Sequence, residues 1–258
     1  MRELALSGVS LRYDAADGTQ TLALDDLNLS VASGESIALI GPSGCGKSST
    51  LQMAAGLLQP TEGSVTVDGA PLEGPRRETA LILQGFGLLP WKTVRANAEL
   101  GLKVRGLARE ERRGRAEHAL GLVGLSEFAG KYPGELSGGM QQRLALARAL
   151  ALDVDVLLMD EPLSALDALL REQLQETLLS LWRSQGYAQV LVTHSIEEAV
   201  FLGQRIYVLS PRPGRIVGTV GNPQVGQEGY RGSMEFFARC TEIRILLRAA
   251  AERGGSHA

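Results

Sequence analysis

The sequence feature that most constrains this chain is a glycine-rich segment that follows a short apolar run. The run SIALI, at residues 36–40, leads directly into GPSGCGKSST, at residues 41–50, and a stretch with helical apolar spacing comes next. This order satisfies the pattern G-x-x-x-x-G-K-[ST] in the strand–loop–helix context that the pattern requires. The alternative is a glycine-rich turn with a surface lysine, but it leaves the fully occupied pattern unexplained. The segment therefore predicts a site for the phosphates of a nucleotide.

The residue types of this loop suit the binding of phosphate. Glycines let the backbone bend closely enough for its N–H groups to surround an anion, and the following helix adds about half a positive charge. We expect Lys47 to reach the terminal phosphates and the Ser48 hydroxyl to hold Mg²⁺. Cys45 occupies a free position of the pattern, so we interpret it as a small spacer rather than a nucleophile. The predicted nucleotide-binding residues of the loop are Gly41, Pro42, Ser43, Gly44, Cys45, Gly46, Lys47, Ser48 and Ser49.

A second apolar run ends in two adjacent acids. In VDVLLMDEP, Asp160 closes the run and Glu161 follows it, immediately before Pro162. Ligands of open α/β sheets bind at the carboxyl ends of the strands, so Asp160 is the candidate metal partner. Glu161 is the candidate general base for an attacking water, because adjacent carboxylates can divide metal neutralisation and proton acceptance. The alternative for the pair alone is an ordinary strand end followed by a turn at the proline.

Strand and helix signals alternate along the chain and predict the fold class. Short apolar runs mark buried strands at residues 36–40, 79–83, 154–159, 189–192 and 206–209. Strands that alternate with helices indicate an α/β fold with a mostly parallel sheet covered on both sides. The N-terminal part differs. Loose alternation and turn residues predict strands at residues 4–13 and 21–31, a turn at 15–18 and a hairpin at 64–72.

Three segments are predicted to be helical. Residues 88–152 have almost no strand signal, so we expect a helical insertion within the α/β domain. The segment after Asp167 places four leucines on one helical face, namely Leu170, Leu174, Leu178 and Leu181. The tail from Pro211 begins with PRPGR and is rich in glycine. It then shows a stripe that we interpret as a packing face rather than a partner surface, made of Phe236, Cys240, Ile243 and Leu247.

Composition narrows the class of protein further. Two cysteines among 258 residues are too few for a disulfide scaffold, which favours a reducing environment. The formal net charge of −3 offers no global basic field for a nucleic-acid backbone. No apolar run approaches the roughly 20 residues that span a bilayer, and the start MRELALSGVSLRYD lacks the features of a secretory signal. We expect any work at a membrane to depend on a separate membrane-spanning protein.

The segment LSGGMQQR, at residues 136–143, separates this chain from other proteins with a phosphate loop. Ser137 and two glycines precede a predicted helix, which again presents N–H donors to an anion. On these residues the chain resembles the ATP-binding cassette (ABC) ATPase family over nearly its whole length. The resemblance implies one ABC ATPase domain, residues 1–258, with a P-loop NTPase (RecA-like) core and an N-terminal antiparallel β subdomain. The implied bounds are about 1–87 and 153–220 for the core, 88–152 for the helical subdomain and 221–258 for a helical tail.

The resemblance also assigns roles to single residues outside the phosphate loop. Tyr13 matches the aromatic that stacks on adenine, the alternative being a core aromatic on an edge strand. Gln84 matches the glutamine that senses the metal and the attacking water and links them to the helical subdomain; a strand cap is the alternative. His194 matches the switch histidine that contacts the γ-phosphate, where a structural histidine is the alternative. His118 and His257 are expected to be solvated.

Two further segments take roles from the family. The signature is expected to contact the nucleotide held by an opposite subunit, through Leu136, Ser137, Gly138, Gly139 and Gln141. The D-loop is formed by Ser164, Ala165, Leu166 and Asp167. The predicted catalytic residues are Glu161, His194 and Gln84. The predicted metal residues are Ser48, Gln84 and Asp160.

The resemblance narrows to one group of importers. The segment at residues 73–102, which contains QGFGLLPWKTV, and the later THSIEEAVFLGQRIYVLSPRPGRI are similar to the ATPases of nitrate/sulfonate/taurine-type importers. Two positions depart from that pattern. Gly85 follows the glutamine where an acidic residue is common, and LSALD stands where FGALD is more usual.

The resemblance implies an ATP-hydrolysing importer subunit that uses ATP and Mg²⁺. Its implied partners are a second copy of itself, a transmembrane permease and, indirectly, a periplasmic or extracellular solute-binding protein, with no nucleic acid. Its implied location is peripheral, on the cytoplasmic face of the inner membrane. A soluble cassette acting on nucleic acid or ribosomes is the main alternative, but the chain has one cassette, no sustained heptads and no cysteine pairs. A phosphotransferase is the third hypothesis, and it leaves LSGGMQQR unexplained.

Overall fold

The structure is a computed structural model that describes residues 1–14 and 18–255. Most of the turn predicted at residues 15–18, together with His257, lies outside the described residues. The strands are β1 (Glu3–Asp14), β2 (Gln20–Ala32), β3 (Ser36–Ile40), β4 (Glu62–Val67), β5 (Ala70–Pro71), β6 (Thr79–Ile82), β7 (Val156–Asp160), β8 (Ala188–Thr193), β9 (Arg205–Leu209) and β10 (Ile216–Gly221). The helices are α1 (Lys47–Ala54), α2 (Val94–Ala98), α3 (Leu100–Val104), α4 (Arg109–Leu122), α5 (Gly138–Leu150), α6 (Ala168–Gln185), α7 (Ile196–Leu202) and α8 (Met234–Gly255).

The N-terminal strands form an antiparallel sheet in the order β2-β1-β4-β5. The predicted hairpin is present, because Asp68 and Gly69 both adopt positive φ angles, 53° and 79°, which a two-residue turn of this kind needs. Strand β1 lies inside this sheet, since it pairs with β2 on one side and with β4 on the other. The pairing with β4 stops at Ser10, so Tyr13 lies on the end of β1 that extends past β4.

The second sheet has the order β10-β9-β3-β8-β7-β6, and its five strands from β9 to β6 run parallel. The predicted α/β fold with a mostly parallel sheet is therefore confirmed. Strand β10 was not predicted from the sequence, because IVGTVG follows a proline- and glycine-rich segment and its own glycines weaken the strand pattern. It pairs antiparallel with β9 and so forms one edge of the sheet.

Alternate residues of the parallel strands pack on opposite sides of this sheet. In β3, Ile37 and Leu39 join a core shared with α1 and the antiparallel sheet, whereas Ala38 and Ile40 join a core shared with the other helices. A strand that is buried on both faces reads as a continuous apolar run, and all five residues of β3 are buried. This explains why SIALI lacks the alternation of a half-exposed strand.

The predicted helical insertion is confirmed between β6 and β7. Helices α2 to α5 occupy this segment, and α5 packs against α2, α3 and α4. Buried side chains at Val94, Leu102, Leu120 and Leu144 belong to the same core as the helical side of the parallel sheet. The insertion is therefore packed onto the sheet and is not an appended arm.

The C-terminal helix α8 packs against α7, β9 and β10. The predicted stripe is its inner face, since Phe236, Cys240 and Ile243 are buried and Leu247 is partly buried against the same core. On the predicted face of α6, Leu174 and Leu178 are buried as well. The expectation that the tail stripe is a packing face is confirmed.

Two isoleucines of α8 test how much this packing contributes to stability. We expect Ile243→Ala, at a fully buried position, to lower the free energy of unfolding by about 2–5 kcal/mol, because it removes apolar contacts and leaves a cavity. Ile245→Ala is the matched control, since Ile245 is 61% exposed and its change should stay within about 0.5 kcal/mol. Urea denaturation measures both. Equal, small effects would mean that α8 does not share the core of the domain.

Candidate nucleotide site

A cleft of about 220 Å³ lies where β3 gives way to α1, and we call it the phosphate cleft. Its walls come from the phosphate loop, from the end of β1 and from the ends of several parallel strands. The residues that line it are Tyr13, Ala23, Ser43, Gly44, Gly46, Lys47, Ser48, Ser49, Gln84, Glu161 and Arg212.

The glycines of the phosphate loop serve two different purposes. Gly44 and Gly46 adopt φ angles of 75° and 94°, which L-residues rarely adopt. Gly41 has no such angle; a Cβ there would lie 2.9 Å from Cys45 Sγ and 3.0 Å from Leu209 Cβ. Two of the three glycines therefore supply the expected backbone freedom, and the third allows the loop to pack against β9.

The loop presents unpaired N–H donors and no acid of its own. Within the described residues, the backbone N–H groups of residues 43–46 make no hydrogen bond to a backbone acceptor, and the first turn of α1 carries no acidic side chain. The N-terminus of α1 adds its positive dipole end at the same point. These features fit a bound phosphate anion.

Lys47 is buried and folded back over the loop. Its Nζ donates to the carbonyl oxygens of Gly41 and Pro42, each at 2.8 Å. Cys45 is fully buried, and burial raises the pKa of its thiol although Lys47 acts in the opposite direction. A buried thiol with a raised pKa is a poor nucleophile, which agrees with its interpretation as a spacer.

The candidate metal residues lie together at the end of β7. Burial raises the pKa of the Asp160 carboxyl group, and the charge of Glu161 adds to this rise. The neighbouring Ser48 hydroxyl and the charge of Lys47 act in the opposite direction. Within the described residues, no cluster of three or more His, Cys, Asp or Glu side chains could hold a metal alone. A hydroxyl and one carboxylate nevertheless fit Mg²⁺, which usually completes its shell with waters and substrate phosphates.

The three predicted catalytic residues meet at one carboxylate. Gln84 Nε2 donates to Glu161 Oε2 at 3.2 Å, and His194 Nδ1 lies 3.2 Å from Glu161 Oε1. The backbone of Glu161 adopts a φ angle of 49°, which is uncommon outside glycine and is often found at functional sites. The structure thus places a candidate base between an amide and an imidazole, and both Gln84 and Glu161 line the phosphate cleft.

Tyr13 also lines the cleft, at the end of β1. The residue is 43% exposed, and its hydroxyl lies 2.9 Å from Ser49 Oγ. The alternative of a core aromatic is therefore excluded, and an exposed aromatic face beside the phosphate loop is what stacking on a base requires. His118 is exposed, as expected for a solvated side chain.

The signature residues do not line the phosphate cleft of their own chain. Ser137 caps α5, where its Oγ accepts from Met140 N at 3.3 Å, and Gln141 Nε2 donates to the Leu136 and Pro133 carbonyls. A Cβ at Gly139 would lie 3.2 Å from the Ala165 carbonyl oxygen, so the start of α5 packs against the D-loop.

The D-loop leads into the next helix. Asp167 caps α6 by accepting from Leu170 N at 3.0 Å. The Ser164 hydroxyl donates to the Glu161 carbonyl at 3.1 Å, whereas the side chain of Leu166 is buried. The loop is therefore tied at one end to the candidate base and at the other to α6.

Sequence reasoning missed two side chains of α5 that connect the signature to this site. Buried Gln142 donates to the Glu161 carbonyl at 2.9 Å and accepts from Ala165 N at 2.9 Å. Arg148 donates to the carbonyls of Phe86 and Gly87, at 2.7 and 2.6 Å, in the loop after Gln84. The motif contains two adjacent glutamines, and only burial distinguishes Gln142 from Gln141.

A third missed residue is the buried acid Glu198 in α7. It accepts a hydrogen bond from the Thr193 hydroxyl, next to His194, while its Oε1 has no hydrogen-bond partner among the described residues. Burial raises the pKa of Glu198; the Thr193 hydrogen bond and the charges of Arg171 and His194 act against this. The sequence gives no signal that Glu198 is buried while its neighbour Glu197 is exposed.

The fold and the cleft first define a class of protein. A strand–loop–helix phosphate loop beside a strand-end acid on a parallel sheet is the arrangement of a P-loop NTPase. A profile of the family described as ABC transporter matches residues 24–164. The chain belongs to this family, and it is an ABC-type ATPase.

Curated relatives and solved structures agree with this family. The taurine import ATP-binding protein TauB of Jannaschia sp. (strain CCS1) is 46% identical over 216 residues, which cover 84% of this chain and 81% of that protein. TauB of Burkholderia pseudomallei (strain 1710b) is 48% identical over 217 residues, covering 84% and 83%. A structure titled as a dimer of MJ0796, a bacterial ABC transporter cassette, matches with a TM-score of 0.79 and 35% identity, covering 84% of this chain and 98% of that chain.

Among residues 1–14 and 18–255, no helix combines the length and the apolar character needed to cross a membrane.

The pKa shift of Glu198 predicts a pH-dependent contribution to stability. A carboxyl whose pKa is raised in the folded state stabilises the protein at low pH, and this contribution is lost as pH rises through the folded pKa. We expect Glu198→Gln and the wild type to have similar melting temperatures near about pH 5. As pH rises towards about pH 8, the melting temperature of the variant should exceed that of the wild type by an increasing amount. Thermal melting across this range measures the difference.

The matched control for this prediction is Glu197→Gln. Glu197 lies on the same helix, but its side chain is 58% exposed, so the variant should follow the wild-type pH dependence. A gap between Glu198→Gln and wild type that does not change with pH would contradict the assigned cause.

Proposed function

We propose that this protein is the ATP-hydrolysing subunit of an importer for a small solute of the nitrate, sulfonate or taurine type. The names of its taurine-import relatives favour taurine among these solutes. The observation that carries the proposal is the Glu161 carboxylate, which lies between Gln84 and His194 beside the phosphate loop. All of residues 1–258 would act as one ABC ATPase domain with the core, helical subdomain and tail defined above.

The site residues divide the work of hydrolysis among them. Glu161 accepts the proton of the attacking water, and His194 donates from its ring to the terminal phosphate region, where charge develops. Lys47 and the loop N–H groups bind the phosphate tail, and Tyr13 stacks on the base. Ser48, Asp160 and Gln84 would hold Mg²⁺, which when bound neutralises phosphate charge and orients the tail.

The signature residues do not line the phosphate cleft of their own chain, and this supports an arrangement of two copies. Ser137 and Gly138 are exposed at the start of α5, a 13-residue helix whose N-terminus suits an anion. An isologous dimer would bring this helix end to the nucleotide held by Lys47 of a second copy. Two solved structures of the MJ0796 cassette are consistent with this arrangement. One is described as a dimer, and the other as a dimer bound to ADP and Pi.

Hydrolysis would be coupled to a membrane permease through the helical subdomain. The loop after Gln84 carries Trp91, which is 71% exposed, and α3 ends in Val104, which is 77% exposed. We place the permease contact at these exposed apolar side chains. The subunit would act peripherally at the cytoplasmic face of the inner membrane, while an external solute-binding protein delivers the solute; the net charge of −3 does not favour nucleic acid.

Removing the candidate base tests the catalytic assignment. We expect Glu161→Gln to lower the hydrolysis rate by at least about 100-fold, because the amide cannot accept the proton of the water. ATP binding should remain, and ATP should still produce dimers in size-exclusion chromatography with light scattering. Glu172→Gln, at an exposed position on α6, is the control and should hydrolyse ATP like wild type. An unchanged rate in Glu161→Gln would remove this residue from its role.

A deletion strain tests the solute. We expect loss of the gene to abolish growth on taurine as the sole sulfur source, and a plasmid copy to restore it. Lys47→Ala in the plasmid copy should fail to restore growth, because it removes the buried ammonium of the phosphate loop. Uptake of labelled taurine gives the direct measurement. Normal taurine uptake together with lost uptake of nitrate or an alkanesulfonate would reassign the solute within the same class.

A further inference from the structure

The connection between β9 and β10 lies beside the phosphate loop. Strand β9 pairs parallel with β3, so the segments that follow the two strands leave the same edge of the sheet side by side. Residues 210–215, here called the PRPGR loop, form this connection. In the sequence this segment begins the glycine-rich tail and closes the second stretch that is similar to importer ATPases. The hydrolysis site as described above gives it no role.

The PRPGR loop is attached to β2 and to the phosphate loop through Gly214. Gly214 N donates to the Ala23 carbonyl at 2.9 Å, and Asp25 N donates to the Gly214 carbonyl at 3.1 Å. A Cβ at Gly214 would collide with the carbonyl oxygen of Cys45. The two loops therefore touch backbone to backbone, and a side chain at this position would displace the phosphate loop.

Ser210 holds the PRPGR loop in one shape. Its Oγ lies 2.9 Å from the carbonyl oxygens of both Pro211 and Pro213, and it accepts from Arg215 N at 3.0 Å. The proline rings restrict the backbone on both sides of Arg212. Arg212 is therefore presented from a stiff loop, at a small cost in conformational entropy.

Arg212 extends from this loop into the phosphate cleft. Its Nε donates to the Gly44 carbonyl at 3.2 Å, and its guanidinium lines the cleft with Lys47. Glu161 is the one acidic residue among the described residues that line the cleft. Lys47 already donates to two loop carbonyls, so Arg212 is a second cation at the place where a phosphate tail would lie.

The contact with the Gly44 carbonyl has a consequence for the next N–H group. A trans peptide places the carbonyl of Gly44 and the N–H of Cys45 on opposite sides. A guanidinium that holds the carbonyl therefore also fixes the direction of that N–H, which is one of the loop donors without a backbone acceptor. Gly44 has no Cβ to restrict its backbone, so without this contact the peptide could rotate more easily.

We propose that Arg212 is a positioning residue of the phosphate loop that raises affinity for the phosphate tail of the nucleotide. It acts by holding the Gly44–Cys45 peptide and by adding positive charge to the phosphate cleft. The inference rests on the proposed function as an ATPase, and it adds a residue outside the phosphate loop and the switch segments to that site.

Nucleotide titrations of three variants test this role. We expect Arg212→Gln to weaken the binding of ATP and ADP about tenfold, as loss of a charge-assisted hydrogen bond predicts. Arg212→Lys keeps the charge and a donor, and should stay within about threefold of wild type. Arg215→Gln is the matched control in the same loop, because Arg215 pairs with Asp25 outside the cleft. Its nucleotide affinity should match that of wild type.

Two further readouts separate positioning from general stability. For Arg212→Gln we expect the KM for ATP to rise about tenfold while kcat at saturating ATP stays within about twofold. Its nucleotide affinity should also depend less steeply on salt than that of wild type, because one cation has been removed.

The possible outcomes separate this proposal from the proposed function. Wild-type affinity in Arg212→Gln, with normal ATP binding by the wild type, would overturn the role of Arg212 and leave the ATPase assignment standing. Equal losses in Arg212→Gln and Arg215→Gln would show that loop folding is responsible, and would also overturn it. Absence of ATP binding in the wild type itself would remove the proposed function.

Discussion

The site depends on parallel strands that all end at one edge of the central sheet. The strands β9, β3, β8, β7 and β6 lie side by side in that order. Segments that are distant in the chain therefore line up along one edge, and the groups that follow these strands are, in the same order, Arg212, Lys47, His194, Glu161 and Gln84. Cations lie at the β9 and β3 side and the water-activating groups at the β7 and β6 side. The strand order thus separates phosphate binding from proton acceptance.

Helix α5 joins the signature to both halves of this site. It begins beside Ser137 and contacts the Glu161 carbonyl through Gln142 and the loop after Gln84 through Arg148. Burial lowers the pKa of Arg148, and backbone carbonyls compensate part of the desolvation of its charge. A continuous helix transmits a displacement of its first turn to both contacts at once. Binding at the signature would therefore act on the backbone of Glu161 and on the loop after Gln84 together.

The sequence predicts the site residues that occur in short motifs and misses those that act across the fold. The phosphate loop and the pair Asp160-Glu161 are recognisable because a local pattern and a flanking apolar run occur together. Gln142 and Arg212 bind backbone carbonyls of remote segments, and such contacts leave no residue-specific trace near their partners. Strand β10 was missed because its pairing with β9 outweighs the weak strand propensity of its glycines.

The backbone of Glu161 shows why motif and fold are both needed. A φ angle of 49° costs about 1–3 kcal/mol at a non-glycine residue and persists only where its surroundings enforce it. Here the N–H donates to the Val192 carbonyl at 2.9 Å, and the carbonyl accepts from Gln142 at 2.9 Å. The carboxylate is held by the two side chains described above. These partners come from β6, β8 and α5 or the segments next to them, so the orientation of the candidate base is a property of the assembled sheet and helix.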